Sequence, residues 1–253
     1  MGAPDFTDLL AKLTKSRPRS HPIFRFDNKM FEREFVKRLG MRQAALLNGP
    51  CSLFELVPPT KPFILKPVIG SSCRGVTPLI PQLGSHPCLY RNVWNGREET
   101  WAEWRRHAKQ FEGQVATKRG DTVGPDWLIE ELISGNPFDW KVWVVGGKAT
   151  LVWQIRRPDK HSKLWSPMWE HLGKIALVLI NDASLPPPKH GAAIIETAER
   201  LARHIDSPFI RIDLYEDAEG PIFGEIDPHP SGGARLFNDE WERKLGSLWP
   251  RSL

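Results

Sequence analysis

No stretch of this 253-residue chain approaches the ~18 consecutive apolar residues of a membrane span, and its first residues lack the basic-then-apolar order of a secretion signal. No membrane association is therefore expected. Phe6 stands where N-myristoylation requires Ser or Thr, so the Met1-Gly2 start is no lipidation site. Cysteine is scarce: Cys51, Cys73 and Cys88 are an odd number without CxxC spacing. That excludes a disulfide framework and a zinc knuckle, and it fits a reducing, cytoplasmic setting. GxxxxGK[ST], GxGxxG opening a helix and GxSxG are all missing, which removes the common nucleotide loops and the nucleophile elbow. The histidines, His171 and His229 among them, show no triad logic and read as surface or supporting residues.

What is present is a globular composition. The chain is 40% hydrophobic and 26% charged, with 35 Lys+Arg against 30 Asp+Glu, a net charge of +5 and a pI near 9.2. It is long enough for one large or two small domains, and its partners are expected to be anionic. Eleven tryptophans could stack on bases. They mostly fall at apolar periodic positions, however, and no long basic run accompanies them, so the charge reads as a mixed solvated surface.

The segment 17–22, with Pro18 and Pro22, reads as a lead into a domain. A helix is expected next, capped by Asp27 or Asn28, with Phe31, Phe35 and Leu39 on one face and Gly40 as its stop. Residues 62–67 read as a short buried strand ending at Lys66, followed by a small-residue loop, 70–75. Between 98 and 111, Trp101, Trp104, Ala108 and Phe111 mark a helix face. Strands follow at 127–133, 140–145 and 150–155, the last two joined across Gly146-Gly147 as a hairpin. Residues 158–191 form a long connection containing an apolar run, 175–180. A helix over 192–205, facing inward through Ile195, Ala198, Ala202 and Ile205, precedes two final strands at 209–215 and 222–227, with a turn over 216–221.

That last hairpin carries chemistry. Strand alternation puts Arg211, Asp213 and Tyr215 on one face and Ile212 and Leu214 on the inward one. It also points Glu225 and Asp227 together, so Asp213, Glu225 and Asp227 can cluster. Three adjacent carboxylates stay ionised only beside a cation, and an all-oxygen set suits Mg²⁺ or Mn²⁺. The other reading is a solvated polar face on an edge hairpin. The loop 228–233, with Ser231, Gly232 and Gly233, could bring backbone donors near phosphate oxygens and favours the metal. Lys66, ending an apolar strand, either meets an anion such as phosphate, beside the backbone of the 70–75 loop, or snorkels into water.

Asp27, Asn28 and Lys29, the segment FILKPVIGSSCRGV (63–76), the run WLIEELISGNPFDWKVWVVGGK (127–148), Arg156-Arg157, FIRIDLY (209–215) and IFGEIDPHPSGG (222–233) together resemble the ATP-grasp superfamily. DWKVWVVGGK, RIDLY and FGEID are most similar to its TupA-like, teichuronopeptide-biosynthesis members. The resemblance implies an α+β ATP-grasp fold, two subdomains whose antiparallel sheets clamp ATP. The implied division is an N-terminal helical region 1–60, a lid subdomain 61–133 and a C-terminal subdomain with the metal site, 134–253. It further implies that Lys29 and Lys66, with Ser71 and Ser72 of the loop, hold phosphates, and that the backbone of Glu130, Glu131 and Leu132 reads the adenine with Asp139 near the ribose. Lys141 would face phosphates or substrate, Arg156 and Arg157 would bind the acyl phosphate, Arg211 would join this catalytic set, and Asp213, Glu225 and Asp227 would hold magnesium. Asp227 departs from the Asn more usual in amino-acid ligases of the superfamily. Only residues 1–26 precede the Asp-Lys helix, a reduced pre-grasp region. The acceptor site is then expected from the 158–191 connection or from a partner subunit, for example in a homo-oligomer.

The implied function is ATP-dependent ligation of a carboxylate to an amine through an acyl phosphate, on small amino-acid, peptide or uronate-like substrates. A phosphotransferase to a hydroxyl is the rival enzyme, and a basic nucleic-acid-binding module the rival from another class. Filter binding at two salt concentrations should find no tight, strongly salt-dependent retention of nucleic acid; such retention would restore the last reading.

Overall fold

The computed structural model describes residues 4–18, 20–70, 73–84, 88–114, 122–134, 138–178 and 180–250; Ser71 and Ser72 lie outside them. Its strands are β1 (Leu46–Ser52), β2 (Phe63–Pro67), β3 (Thr77–Gln82), β4 (Leu89–Asn92), β5 (Glu98–Thr100), β6 (Asp126–Glu131), β7 (Asp139–Val145), β8 (Lys148–Ile155), β9 (His161–Trp165), β10 (Ile180–Asn181), β11 (Phe209–Asp217) and β12 (Gly220–Asp227). Its α-helices are α1 (Phe6–Ser16), α2 (Lys29–Arg38), α3 (Trp101–Lys109), α4 (Gly191–Ala202) and α5 (Asp239–Ser247). Among the described residues no helix is long and apolar enough to cross a membrane.

The chain divides into two compact units. The larger comprises Met1–Phe26, Glu34–Gln43 and Gly135–Leu253, the smaller Asp27–Arg33 and Ala44–Ser134. The expected boundary at 133/134 falls at the end of the smaller unit, while the expected N-terminal region 1–60 is distributed over both. Ahead of the 17–22 segment lies α1, which no sequence pattern marked: its Phe6 and Leu10 are 2% exposed and pack in the larger unit's core.

In the smaller unit six antiparallel strands run in the order β1-β6-β2-β3-β4-β5. Phe63, Leu65, Trp127 and Ile129 alternate onto one face and meet Trp104 and Ala108 of α3. That helix ends at Lys109, before Phe111, and begins at Trp101, the first residue of the expected apolar face. Thr100 and Glu103 form a reciprocal capping box there, and the residues before it pair as β5. The start of α2 is capped by Asn28, whose Oδ1 accepts from the N–H of Met30 (2.9 Å) and Phe31 (3.2 Å). The N–H of Lys29 donates to Val68 O at 3.0 Å, which docks this helix end beside the end of β2.

In the larger unit the order is β10-β9-β8-β7-β11-β12, antiparallel except between β10 and β9. Gly146 and Gly147, both at positive φ, make the two-residue turn between β7 and β8. One sheet face carries Trp143, Trp153 and Phe209, packed against α1, α5 and Phe237. Val142, Ile210 and Ile212 point the other way, and α4 packs against their strands. α4 faces inward through Ile194, Ala198, Leu201 and Ala202, with Ile205 buried just beyond it; of the expected face Ala198, Ala202 and Ile205 are buried, and Ile194 takes the place of the partly buried Ile195. The 158–191 connection is in part sheet, since β9 and β10 belong to it. The turn of the last hairpin is tighter than 216–221, with Asp217 paired to Gly220.

A bulge in β12 decides which side chains meet. Asp213 pairs with Glu225 and Leu214 with Phe223, so Gly224 is the extra residue. A Cβ on Gly224 would stand 2.9 Å from Tyr215 Cε2 and 3.0 Å from the Asp213 carbonyl oxygen. Gly224→Ala should therefore cost about 1–3 kcal/mol, read as a lower urea midpoint at unchanged m-value; an unaltered midpoint would show that the bulge tolerates a side chain.

Candidate functional site

Two sets of charged residues stand out, one in each unit. In the larger unit, β7, β11 and β12 are neighbours, and the register places Lys141 opposite Asp213, Asp213 opposite Glu225, and Arg211 opposite Asp227. Cross-strand partners share a face. All of these residues, with Asp139 two positions before Lys141, therefore lie on one face, in line with the aromatic core.

Asp213 is 2% exposed and Arg211 8%, so this is no solvated edge. Arg211 donates from Nε to Asp213 Oδ1 at 2.6 Å and from Nη2 to Oδ2 at 2.8 Å. Its Nη1 lies 2.9 Å from Asp227 Oδ2. Lys141 bonds to Asp213 and stands 2.8 Å from Asp139 Oδ2. Arg157 reaches the same Asp139 oxygen at 3.3 Å. Arg156 turns elsewhere, 2.8 Å from Asp159 and 3.8 Å from Asp182, so the arginine pair is divided between two settings.

Burial works against charge on Asp213 and would raise its pKa, but Arg211 and Lys141 outweigh that and hold the carboxyl below its ordinary value. For Lys141, burial pulls downward, and Asp139 with Asp213 overcome it and raise the ammonium's pKa. Arg211 is likewise raised, Asp213 and Asp227 overcoming desolvation. The compensation expected from a metal is thus supplied in part by the chain's own cations.

Among the described residues no three His, Cys, Asp or Glu side chains are gathered as a ready-made metal cage; Asp213 gives its oxygens to Arg211 and Lys141. The donor chemistry nevertheless fits Mg²⁺, which is commonly held by one or two carboxylates with substrate phosphates and water. Glu225 and Asp227 are only partly buried. Four carboxylates, Asp139, Asp213, Glu225 and Asp227, stand with Lys141, Arg157 and Arg211 in this set, and among the described residues Asp139 Oδ1 is buried with no hydrogen-bond partner.

The smaller unit holds the second set. Lys66 on β2 does not snorkel: 14% of its side chain is exposed, and its ammonium is bonded to Glu130 of β6. Arg33 of α2 takes the other Glu130 oxygen at 2.5 Å and donates to the Ala44 carbonyl at 3.0 Å. Lys29 donates to the Gly70 carbonyl at 2.8 Å. The Glu130 side chain is therefore committed to cations. The N–H groups of Glu131 and Leu132 donate to Ala45 O (2.9 Å) and Pro62 O (3.3 Å), which leaves carbonyl oxygen as what this stretch can offer a base edge. The Glu131 carboxylate meets Lys61 at 2.8 Å. Sequence reasoning passed over Arg33, although its place four residues after Lys29 puts both on one helix face.

The model of the TupA-like ATPgrasp family matches residues 53–249. The chain belongs to the TupA-like ATPgrasp family. Comparison with curated protein sequences finds no match. Among solved structures, this ATPgrasp chain is similar to D-alanine-D-alanine ligase from Helicobacter pylori, with TM-score 0.51 and 20% identity over 97% of this chain and 69% of that one. A D-alanine-D-alanine ligase from Bacillus anthracis gives TM-score 0.54 and 11% identity over 89% and 66%. An L-amino acid ligase from Bacillus licheniformis gives 0.48 and 15% over 83% and 42%, so the chain spans about two-fifths of that protein's length. At these identities the likeness to the two D-alanine-D-alanine ligases is one of fold, and with the family match it makes the two-sheet architecture an ATP-grasp fold.

The ion network sets a pH window. Asp213, held below its ordinary value, adds stability that is present above about pH 4 and is withdrawn as pH falls through the lowered value. Lys141, raised, adds stability that is present below about pH 10 and is withdrawn as pH rises through the raised value. Thermal melts should show a plateau between these limits. Lys141→Met, which leaves Asp139 and Asp213 short of a cation, should lower stability on that plateau by about 3–5 kcal/mol; a loss under 1 kcal/mol would contradict the burial argument.

Proposed function

We propose that this chain is an ATP-dependent ligase that joins a carboxylate to an amine, with ADP and phosphate as the other products. The observation that carries the reading is the buried Arg211–Asp213–Lys141 network with Glu225 and Asp227 beside it on the same face, in a chain of the TupA-like ATPgrasp family. D-alanine-D-alanine ligase, which this fold resembles, is by name a ligase of amino acids.

In this reading a substrate carboxylate oxygen attacks the γ-phosphorus of ATP in line, the bond to the β,γ-bridging oxygen breaks, and ADP leaves. The amine then adds to the carbonyl of the resulting acyl phosphate, loses a proton, and expels inorganic phosphate to leave the amide. No enzyme nucleophile is needed, which agrees with the missing nucleophile motifs. Glu225 and Asp227, with Asp213 behind them, would hold magnesium, which would supply positive charge against the phosphate oxygens. Arg211 keeps Asp213 and Asp227 ionised and oriented. Lys66 and Lys29 bind phosphate oxygens, the backbone of 130–132 lies against the base, and Asp139, with its unpartnered oxygen, accepts from a ribose hydroxyl. Arg157, on the face of the network, steadies the acyl phosphate, while Arg156, engaged by Asp159 and Asp182, stands apart from it; Lys141 acts by holding Asp139 and Asp213. Use of ATP and three free cysteines agree with a cytoplasmic setting.

An ADP-release screen across pairs of carboxylates and amines with Mg²⁺ tests this. Amino acids, short peptides and uronates are the first candidates. A productive pair should give an amide, and Glu225→Gln or Asp227→Asn should reduce its rate by about 10²–10³-fold while the variants stay folded. ADP release that proceeds with a hydroxyl compound and no amine would replace the ligase by a phosphotransferase.

A further inference from the structure

The contacts of Glu130 point to a residue that neither the sequence motifs nor the proposed mechanism includes. Lys66, Glu130 and Arg33 expose 14%, 6% and 13% of their side chains, so the three charges interact with little screening by water. An isolated Lys66–Glu130 pair in such a setting would be neutral overall, and an incoming phosphate would have to compete with a carboxylate already bound to the ammonium. Arg33 changes that balance. It occupies Glu130 Oε1 at 2.5 Å while Lys66 meets Oε2, so one negative charge is divided between two cations and the cluster keeps a net charge of +1.

We propose that Arg33 is a positioning residue for phosphate binding: it holds one oxygen of Glu130, so that the other orients Lys66 without cancelling its charge. The arrangement needs an arginine. Its planar fork reaches Glu130 from Nη1 and the Ala44 carbonyl from Nη2, at 3.0 Å, and the ammonium of a lysine could not span both with the same rigidity. The helix start that carries Arg33 is itself fixed, by the Asn28 cap and by the Lys29 N–H on Val68 O. Lys29, one helical turn earlier, points its ammonium to the Gly70 carbonyl, so the same helix start sends one cation to the segment that follows β2 and another to Glu130.

The inference rests on Lys66 being a phosphate ligand, and the experiment separates the two. Calorimetry would measure ATP with Mg²⁺, and adenosine, against the wild-type chain, Arg33→Met, Glu130→Gln and the double variant. Arg33→Met should weaken ATP by about tenfold and leave adenosine unchanged, because only the phosphates feel the lost charge. Adding Glu130→Gln to it restores the +1 balance and should bring ATP affinity back to within about threefold of wild type. Arg33→Lys, keeping the charge without the fork, should give a smaller loss, and it carries the test if the methionine variant does not fold. An unchanged ATP affinity, an equal loss for adenosine, or no recovery in the double variant would overturn the proposal and leave the ATP reading standing. A wild-type chain that binds neither ligand would sink both.

Discussion

An ionised side chain removed from water loses several kcal/mol of solvation, and an opposite charge with good geometry is what replaces it. The sheet of the larger unit is arranged around that requirement. Asp213 sits on β11, an inner strand, 2% exposed, with a cation on its own strand, Arg211, and another on the neighbouring strand, Lys141. Neither could leave without stranding a charge. The network therefore fixes the register of β7 against β11, since a slip of one residue would turn Lys141 into the face covered by α4 and put Trp140 or Val142 opposite the carboxylate.

The same constraint explains features at some distance from the charges. The bulge at Gly224 returns Glu225 and Asp227 to the charged face while Phe223 and Ile226 keep to the apolar one with Leu214 and Ile212. The aromatic packing of Trp143, Phe209 and Phe237 closes the rest of that face, so the ionic end is bounded by a dry core rather than by solvent. Such surroundings strengthen every charge interaction and hold the groups in place before any ligand arrives, which is the condition for electrostatic catalysis.

The smaller unit repeats the device with the signs exchanged in emphasis. There a carboxylate, Glu130, is shared by Lys66 and Arg33, whereas in the larger unit the carboxylates Asp139 and Asp213 are bridged by Lys141, and Asp213 and Asp227 by Arg211. Each set is assembled inside its own unit, from neighbouring strands and, in the smaller unit, one helix start.

The sequence by itself determined the elements that carry these groups. Alternation placed Arg211 and Asp213 on one face and Glu225 with Asp227, the Gly146-Gly147 pair located its hairpin, and Lys66 at the end of an apolar strand announced a charge in need of a partner. Local patterns carry that information because strand and helix periods are short. What only the tertiary structure decided is who pairs with whom. Glu130 and Lys66 are far apart in the chain and meet because β6 and β2 are adjacent; Arg33 joins them because α2 docks beside the end of β2. The docking of α1 and the assembly of β1, β3 and β4 were equally hidden, since prolines at 50, 78 and 81 blur the strand pattern and an eleven-residue helix shows nothing of its partner. Charge pairing depends on distance in space with no fixed interval along the chain, so a sequence can show that a buried charge needs an opposite one and still leave its identity to the fold.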